Sequence, residues 1–237
     1  MELQTTLIRE MKKLRTALLD STAQARSHAM VKIFREALND SLFPLTFLVR
    51  NVMSLQKEAR WRTMPGPERR SALLRVVQER CCIFNEVKVW LHLKGKLPQP
   101  DAEFFAGVHN GYCTHCGGCC EIASGLEDFP EKSEIPCSWR RLFGTGLGAN
   151  HRFCPFLWEL NGKALSLCAI HQWRPRPCRL FAEQECRNLM QDRDFTTLLD
   201  RSRLAETCRK VTHLINSRQS PSRSEAGMQK RRPEFEA

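Results

Sequence analysis

The sequence predicts an α+β protein that is mostly α, with a helical N-terminal region followed by a small, irregular, cysteine-rich domain that contains one β-hairpin. Three observations predict this class. Apolar residues recur at helical spacing through residues 1–98, nine of the twelve cysteines lie between positions 113 and 186, and an Asn-Gly pair separates two short apolar segments. The chain of 237 residues is long enough to bury a core without disulfide cross-links.

Residues 1–98 form the predicted helical region. The apolar side chains of the first helix recur every three or four residues and share one face: Leu3, Leu7, Met11, Leu14 and Leu18. Ser21 and Thr22 carry hydroxyl groups suited to cap a second helix. A third helix is predicted from near Pro44 toward Trp61, because proline is favoured in a first helical turn.

A longer fourth helix is predicted after the Met-Pro-Gly-Pro break at residues 64–67. It runs from about Glu68 to Lys94, and Gly95 is placed to close it. Cys81 and Cys82 fall on this helix. We interpret both as packing residues, since a free cysteine behaves as a small hydrophobe.

The remainder of the chain divides into three predicted parts. Residues 99–188 form the cysteine-rich domain, and residues 189–216 form a C-terminal helix with apolar positions at helical spacing. The tail at residues 217–237 is polar and has no apolar pattern, so it is expected to be disordered.

Charge is distributed unevenly along the chain. Residues 1–98 carry 18 lysines and arginines against 9 acids, whereas residues 99–187 carry 9 against 10. A basic helical surface is suited to an acidic protein or nucleic-acid partner, although a solvated basic face gives the same pattern.

No stretch predicts a secretory signal or the roughly 20 apolar residues of a membrane span. We therefore expect a cytoplasmic protein without a membrane partner. In that compartment thiols stay reduced, and clustered cysteines are more often metal ligands or redox groups than disulfides.

Residues 113–120 read Cys-Thr-His-Cys-Gly-Gly-Cys-Cys. Two residues between cysteines allow a tight turn to aim both sulfurs at one ion, and the double step of Cys113, Cys116 and Cys119 also begins the run that surrounds an iron–sulfur cube in bacterial ferredoxins. Cys120 points away from Cys119 in extended backbone. The octet is therefore predicted to be half of a larger site with more than one metal atom, unless one of the two adjacent thiols is spare.

A predicted hairpin around Asn161 and Gly162 supplies two further thiols. A two-residue turn would place Cys154 opposite Ala169, one step from Cys168, whereas a three-residue loop would place Cys154 and Cys168 diagonally on one face. Either register brings these two cysteines to the same end of the hairpin.

Cys178 follows an extended Arg-Pro-Arg-Pro stretch and is expected to begin a short helix. If that helix continued to Cys186, the two cysteines would lie about 12 Å apart and could not share an ion. Cys137 has no partner at metal-binding spacing. Packing or surface roles are therefore expected for Cys137 and Cys186.

These residues together resemble the YkgJ-type cysteine-cluster family, which is described as a zinc- or iron-chelating domain. The signature is similar to Cys-x-x-Cys-x-x-Cys-Cys, then Cys-Pro-x-Leu, then Cys-x-Ile-Tyr-x-x-Arg-Pro-x-x-Cys-Arg-x-Phe, and it spans residues 109–182 here. His171 stands where tyrosine is usual. The resemblance implies metal or iron–sulfur binding, and some relatives are similar to parts of protein lysine methylases.

The predicted cofactor is an iron–sulfur cluster (4Fe-4S) or zinc or iron ions. Its predicted ligands are Cys113, Cys116, Cys119, Cys120, Cys154, Cys168 and Cys178. Three arginines beside them, Arg174, Arg176 and Arg179, are expected to donate charged hydrogen bonds near the thiolates. His115 and His171 are weaker candidates, since six or seven cysteines already fill a site.

Two alternatives to a metal-binding protein of undefined role stay open. The chain is either a nucleic-acid or protein-interaction module with a structural zinc site, or a component of a redox or methyl-transfer enzyme. No nucleophile–base pair, phosphate-binding glycine loop or dinucleotide fingerprint is present, so the sequence predicts no catalytic residue.

Overall fold

The computed structural model describes residues 2–22, 28–98, 113–122, 127–131, 133–148, 150–160 and 164–217. Within these ranges the chain is mostly helical and has one two-stranded antiparallel sheet, which confirms the predicted mostly-α class with a single hairpin. Residues 99–112 at the start of the predicted cysteine-rich domain and all but the first residue of the predicted tail lie outside the described residues.

The helical region contains the predicted helices with changed ends. Its elements are α1 (Glu2–Thr22), α2 (His28–Asn39), α3 (Leu45–Leu55), α4 (Ala59–Thr63) and α5 (Gly66–Leu93). The predicted caps Ser21 and Thr22 are instead the last residues of α1, and the Ser21 hydroxyl donates to the Leu18 carbonyl in the same helix at 2.7 Å. The predicted third helix is interrupted at residues 56–58.

The rest of the described chain consists of short elements. They are α6 (Gly118–Ile122), α7 (Cys137–Thr145), β1 (Leu157–Glu159), β2 (Ser166–Cys168), a 3-10 turn (His171–Trp173), α8 (Arg176–Leu180), α9 (Glu183–Gln191), α10 (Arg193–Leu199) and α11 (Arg201–Asn216). The predicted C-terminal helix is therefore three helices. Asp192 and Asp200 cause the breaks, because each carboxylate accepts backbone N–H groups and caps the helix that follows.

The hairpin adopts neither predicted register. Leu157 pairs with Cys168 and Glu159 with Ser166, so the loop is longer than the two or three residues expected. The buried Glu159 carboxylate accepts the Ala164 N–H at 2.8 Å, and it also accepts the Thr46 N–H at 2.8 Å and the Thr46 hydroxyl at 2.5 Å. These bonds shape the loop and tie the hairpin to the first turn of α3.

One hydrophobic core joins the helices to the hairpin. Trp158 on β1 is fully buried and contacts Phe84 of α5, with ring centroids 5.0 Å apart. Trp90 of α5 packs edge-on against Trp139 at 5.2 Å and against Trp173 at 5.1 Å. The cysteine-rich segment therefore lies directly on the face of α5.

Candidate metal centre

A cavity of about 70 Å³ lies between the residue 113–120 loop, the hairpin and α8. Six of the seven predicted ligands line it: Cys113, Cys119, Cys120, Cys154, Cys168 and Cys178. Both hairpin cysteines reach it, as either predicted register required. The structure thus brings together thiols that are spread over more than 60 positions of the sequence.

Backbone hydrogen bonds hold the cavity walls together. The Cys154 N–H donates to the Cys120 carbonyl at 2.8 Å, and the Ser166 N–H donates to the His115 carbonyl at 2.7 Å. The His115 ring is buried, and its Nδ1 lies 3.2 Å from the Ser166 carbonyl oxygen. The hairpin and the 113–120 loop are therefore fixed to each other at two points.

The two glycines of the octet allow this close packing. Gly117 has φ +78°, and a Cβ there would lie 2.4 Å from Cε1 of Phe47. A Cβ on Gly118 would lie 2.0 Å from Cδ2 of Leu189 on α9. Gly117 therefore requires glycine, because its backbone is left-handed and the Phe47 ring is close, whereas a side chain at position 118 would force Leu189 to shift.

Cys116 is the predicted ligand that does not line this cavity. It lies instead on the wall of a second, larger cavity. Its carbonyl oxygen accepts a 2.5 Å hydrogen bond from Nη1 of Arg50 on α3. Cys137 is exposed at the start of α7, in keeping with the surface role expected for it.

The prediction for Cys186 assumed one helix from Cys178 to Cys186, and the structure has two separate helices there. The helix α8 ends at Leu180, and the Glu185 carboxylate accepts the Ala182 N–H at 3.0 Å where α9 begins. Cys186 is half-buried on α9. Burial, together with the neighbouring thiolates of Cys113, Cys116 and Cys119, raises the pKa of Cys186 to about 11. Because Cys178 and Cys186 lie on separate helices, the helical separation assumed between them does not apply.

Burial dominates the acidity of most cavity thiols. It raises the pKa of Cys154 to about 11 and that of Cys178 to about 12, and it also raises the pKa of Cys168. The adjacent pair behaves differently. Side-chain hydrogen bonding between Cys119 and Cys120 lowers the pKa of Cys119 to about 7 and raises that of Cys120.

The sequence reasoning missed Arg80 of α5, whose side chain reaches the loop that carries Cys154. Arg80 is 4% exposed, and its guanidinium donates to the carbonyl oxygens of Phe153 at 3.0 Å, Cys154 at 2.8 Å and Pro155 at 3.2 Å. Burial lowers the pKa of Arg80 to about 10, and the thiolates of Cys154, Cys120 and Cys81 oppose that shift. The sequence did contain a signal for the burial of Arg80, since this residue lies three and four positions after buried apolar residues of α5.

Only one of the three arginines predicted to assist the thiolates lines the cavity. Arg174 does so, and its charge favours the ionised form of Cys119 and Cys178 as a secondary influence on the pKa of each. Arg176 and Arg179 are exposed, and Arg176 lies 3.9 Å from the Asp128 carboxylate. His171 also lines the cavity.

Within the described part of the chain, no group of three or more His, Cys, Asp or Glu side chains is arranged to hold a metal ion. The metal site therefore stays a prediction. Its support is the convergence of the thiols around one cavity and the buried cation beside them.

Comparison with protein-family models, with curated proteins and with solved structures found no match to this chain. Among the described residues, no helix combines the length and the apolar character that crossing a bilayer requires.

Proposed function

We propose that this chain binds a metal–thiolate centre, an iron–sulfur cluster, in the cavity lined by the six cysteines. The single observation that carries the proposal is the buried Arg80 guanidinium, which lies beside converging thiols instead of carboxylates. On this proposal the cysteine-rich segment is a metal-binding domain of the kind that its resemblance to the YkgJ-type family implies.

The charge of Arg80 supports an anionic centre nearby. A buried cation is costly unless an opposite charge and hydrogen bonds compensate for its lost hydration. The three carbonyl oxygens satisfy hydrogen bonds of Arg80 but carry no net charge. Thiolates bound to a metal centre would supply the missing negative charge at Cys154 and Cys120.

The donor set and the cavity volume favour a cluster over one zinc ion. Sulfur-only sites suit both zinc and iron–sulfur centres. The cavity of about 70 Å³ is several times the roughly 10–15 Å³ that holds one water molecule, so it has room for more than one atom. Four of the six thiols would be enough to bind the four iron atoms of a 4Fe-4S cluster.

The surrounding residues would tune such a centre. Arg174 lies on the cavity wall, where its charge favours ionised thiols. The buried aromatic rings of Phe143 and Phe156 line the same cavity and make part of its wall apolar. A bound iron–sulfur cluster supplies electron transfer or structural cross-linking, with a reduction potential set by nearby charge, hydrogen bonds and burial.

Metal analysis of anaerobically purified protein tests the proposal. We expect brown protein with broad visible absorbance and with iron and acid-labile sulfide in equal amounts. Colourless protein with stoichiometric zinc would exclude the cluster while retaining a metal site. Protein that binds neither iron nor zinc after anaerobic reconstitution would exclude the metal centre altogether.

A pair of cysteine variants locates the centre. Cys168→Ser should lose the visible absorbance, because Cys168 lies at the cavity on β2. Cys137→Ser is the matched control, since Cys137 is exposed and outside the cavity lining. Equal iron content in the two variants would exclude Cys168 as a ligand of the centre.

A further inference from the structure

A second cavity of about 490 Å³ lies between α1, α3, the C-terminal helices and the loop that contains Cys116. Its volume falls within the roughly 300–1,000 Å³ of small-molecule sites. Most of its wall is aliphatic: Leu7, Ile8, Met11, Leu45, Leu165, Met190, Leu198, Leu199 and Leu204. No aromatic side chain of the described residues lines it, so it offers no surface for stacking a flat ring.

The polar part of this wall is cationic. Lys12, Arg15, Arg50 and Arg201 line the cavity, and among the residues described there no aspartate or glutamate does. Cationic side chains around an apolar space favour a ligand that combines an anionic group with an aliphatic body.

Arg50 is the anchor of this arrangement. Its side chain is 1% exposed, and its Nη1 donates to the Cys116 carbonyl. Its Nε and Nη2, and the buried Nε of Arg15, have no hydrogen-bond partner in the described part of the protein. Buried N–H groups of a charged side chain are costly to leave unpaired, so these donors indicate a missing acceptor.

The surroundings of Arg50 hold its guanidinium in place without satisfying it. The guanidinium carbon lies 4.9 Å from the ring centroid of Phe47, 5.1 Å from that of Phe153 and 5.4 Å from that of Phe195. Glu121 is the carboxylate whose charge acts most strongly on the pKa of Arg50. Its Oε2 also has no hydrogen-bond partner among the described residues. Arg50 is therefore preorganised for an acceptor that the described residues do not supply.

We propose that this cavity binds an aliphatic monocarboxylate. Its carboxylate would accept the free N–H groups of Arg50 and Arg15, since a guanidinium presents paired donors that match two carboxylate oxygens. Its hydrocarbon chain would lie against the leucines and Met190 of the cavity wall. The site is separate from the cavity of the six cysteines and does not depend on a bound metal.

Calorimetric titration with decanoate, below its micelle concentration, tests this site on the full chain. The principal variant is Arg15→Gln, which should weaken decanoate binding about tenfold, because it removes a charged donor. Arg9→Gln is the control on the same helix, since the Arg9 side chain is 65% exposed and outside the cavity lining. Leu199→Trp should also weaken binding by filling the space.

Two further measurements, with decanol and with Arg50→Lys, test the recognition of the carboxylate. Decanol should bind at least about tenfold more weakly than decanoate, because it lacks the charge that the arginines recognise. Arg50→Lys keeps the buried charge but loses the planar, paired N–H donors of the guanidinium. It should therefore weaken decanoate binding in a variant that still folds. The proposal is overturned if decanoate does not bind, if decanol binds equally well, or if Arg15→Gln and Leu199→Trp bind decanoate as the wild type does.

Discussion

Arg80 and Cys154 are joined by a 2.8 Å hydrogen bond from the arginine Nη1 to the cysteine carbonyl oxygen, although 74 residues separate them in the chain. The same guanidinium holds the carbonyls on either side of Cys154. A charged residue of the longest helix thus fixes the backbone that presents one of the candidate ligands. This relationship makes α5 part of the candidate centre.

The first prediction concerns Arg80→Met. If an anionic centre occupies the cysteine cavity, removing the cation should lower the free energy of unfolding of the metal-loaded protein by about 3–5 kcal/mol, as for a broken buried pair. The measurement is urea denaturation together with iron analysis. Arg75→Met is the control, because Arg75 is exposed on the same helix. Unchanged or increased stability of Arg80→Met would contradict the anionic centre, since removing an uncompensated buried charge relieves its desolvation cost.

The second prediction concerns Gly117→Ala. The new Cβ would sit 2.4 Å from the Phe47 ring at a backbone φ of +78°. We expect the free energy of unfolding to fall by about 1–3 kcal/mol, from the left-handed backbone and the clash together. Urea denaturation measures the change. Gly66→Ala should be close to neutral, because nothing lies within 4 Å of a Cβ at Gly66, and equal losses in both variants would refute the packing argument.

The third prediction concerns Cys186→Ser. Leu189 on the same short helix packs on Gly118, and the thiolates of Cys113 and Cys116 influence the pKa of Cys186. We expect the variant to lose metal to a chelator at concentrations at least about tenfold lower than the wild type requires. Cys137→Ser should behave as the wild type does. Identical chelator resistance of the two variants would assign Cys186 to packing alone.

The fourth prediction concerns pH and His151. Burial and the charge of Arg80 lower the pKa of His151, while Glu79, 2.7 Å from its Nε2, opposes the shift. The unfolded chain therefore binds a proton first as the pH falls through about 6.5. The stability that the neutral imidazole contributes is present above that pH and is lost below it.

Urea denaturation at pH 7.5 and pH 5.5 measures this contribution. The free energy of unfolding should be lower at pH 5.5, and the difference between the two pH values should be smaller in His151→Asn. The matched substitution His213→Asn, at an exposed position of α11, should leave the difference unchanged. A difference that is as large in His151→Asn as in the wild type would show that other groups cause it.

Helical periodicity predicted most of the fold, because burial of one face every three to four residues is a local signal. Helix ends were less predictable. Ser21 and Asp200 show the reason, since either residue type can lie inside a helix or cap one, and tertiary packing decides between these roles. The hairpin register was also hard to predict, because Glu159 of the hairpin bonds to Thr46, which lies 113 residues away in the chain.

Cysteine spacing predicted six residues that line one cavity, because short spacings and a hairpin limit where thiols can point. The arginines were not predictable in the same way. Arg50 and Arg80 were counted toward a basic surface, yet both are buried and neither can contact a nucleic acid. The local indication of their burial was their position within the apolar faces of α3 and α5. That position could be interpreted only once the distant hydrogen-bond acceptors were known.

The contact between Arg80 and the Cys154 loop also bears on the order in which the protein is made. A ribosome completes α5 well before it adds residues 153–155, so the Arg80 guanidinium must remain hydrated until its three carbonyl acceptors emerge. The Arg80 side of α5 therefore reaches its final packing only after the cysteine segment has been synthesised.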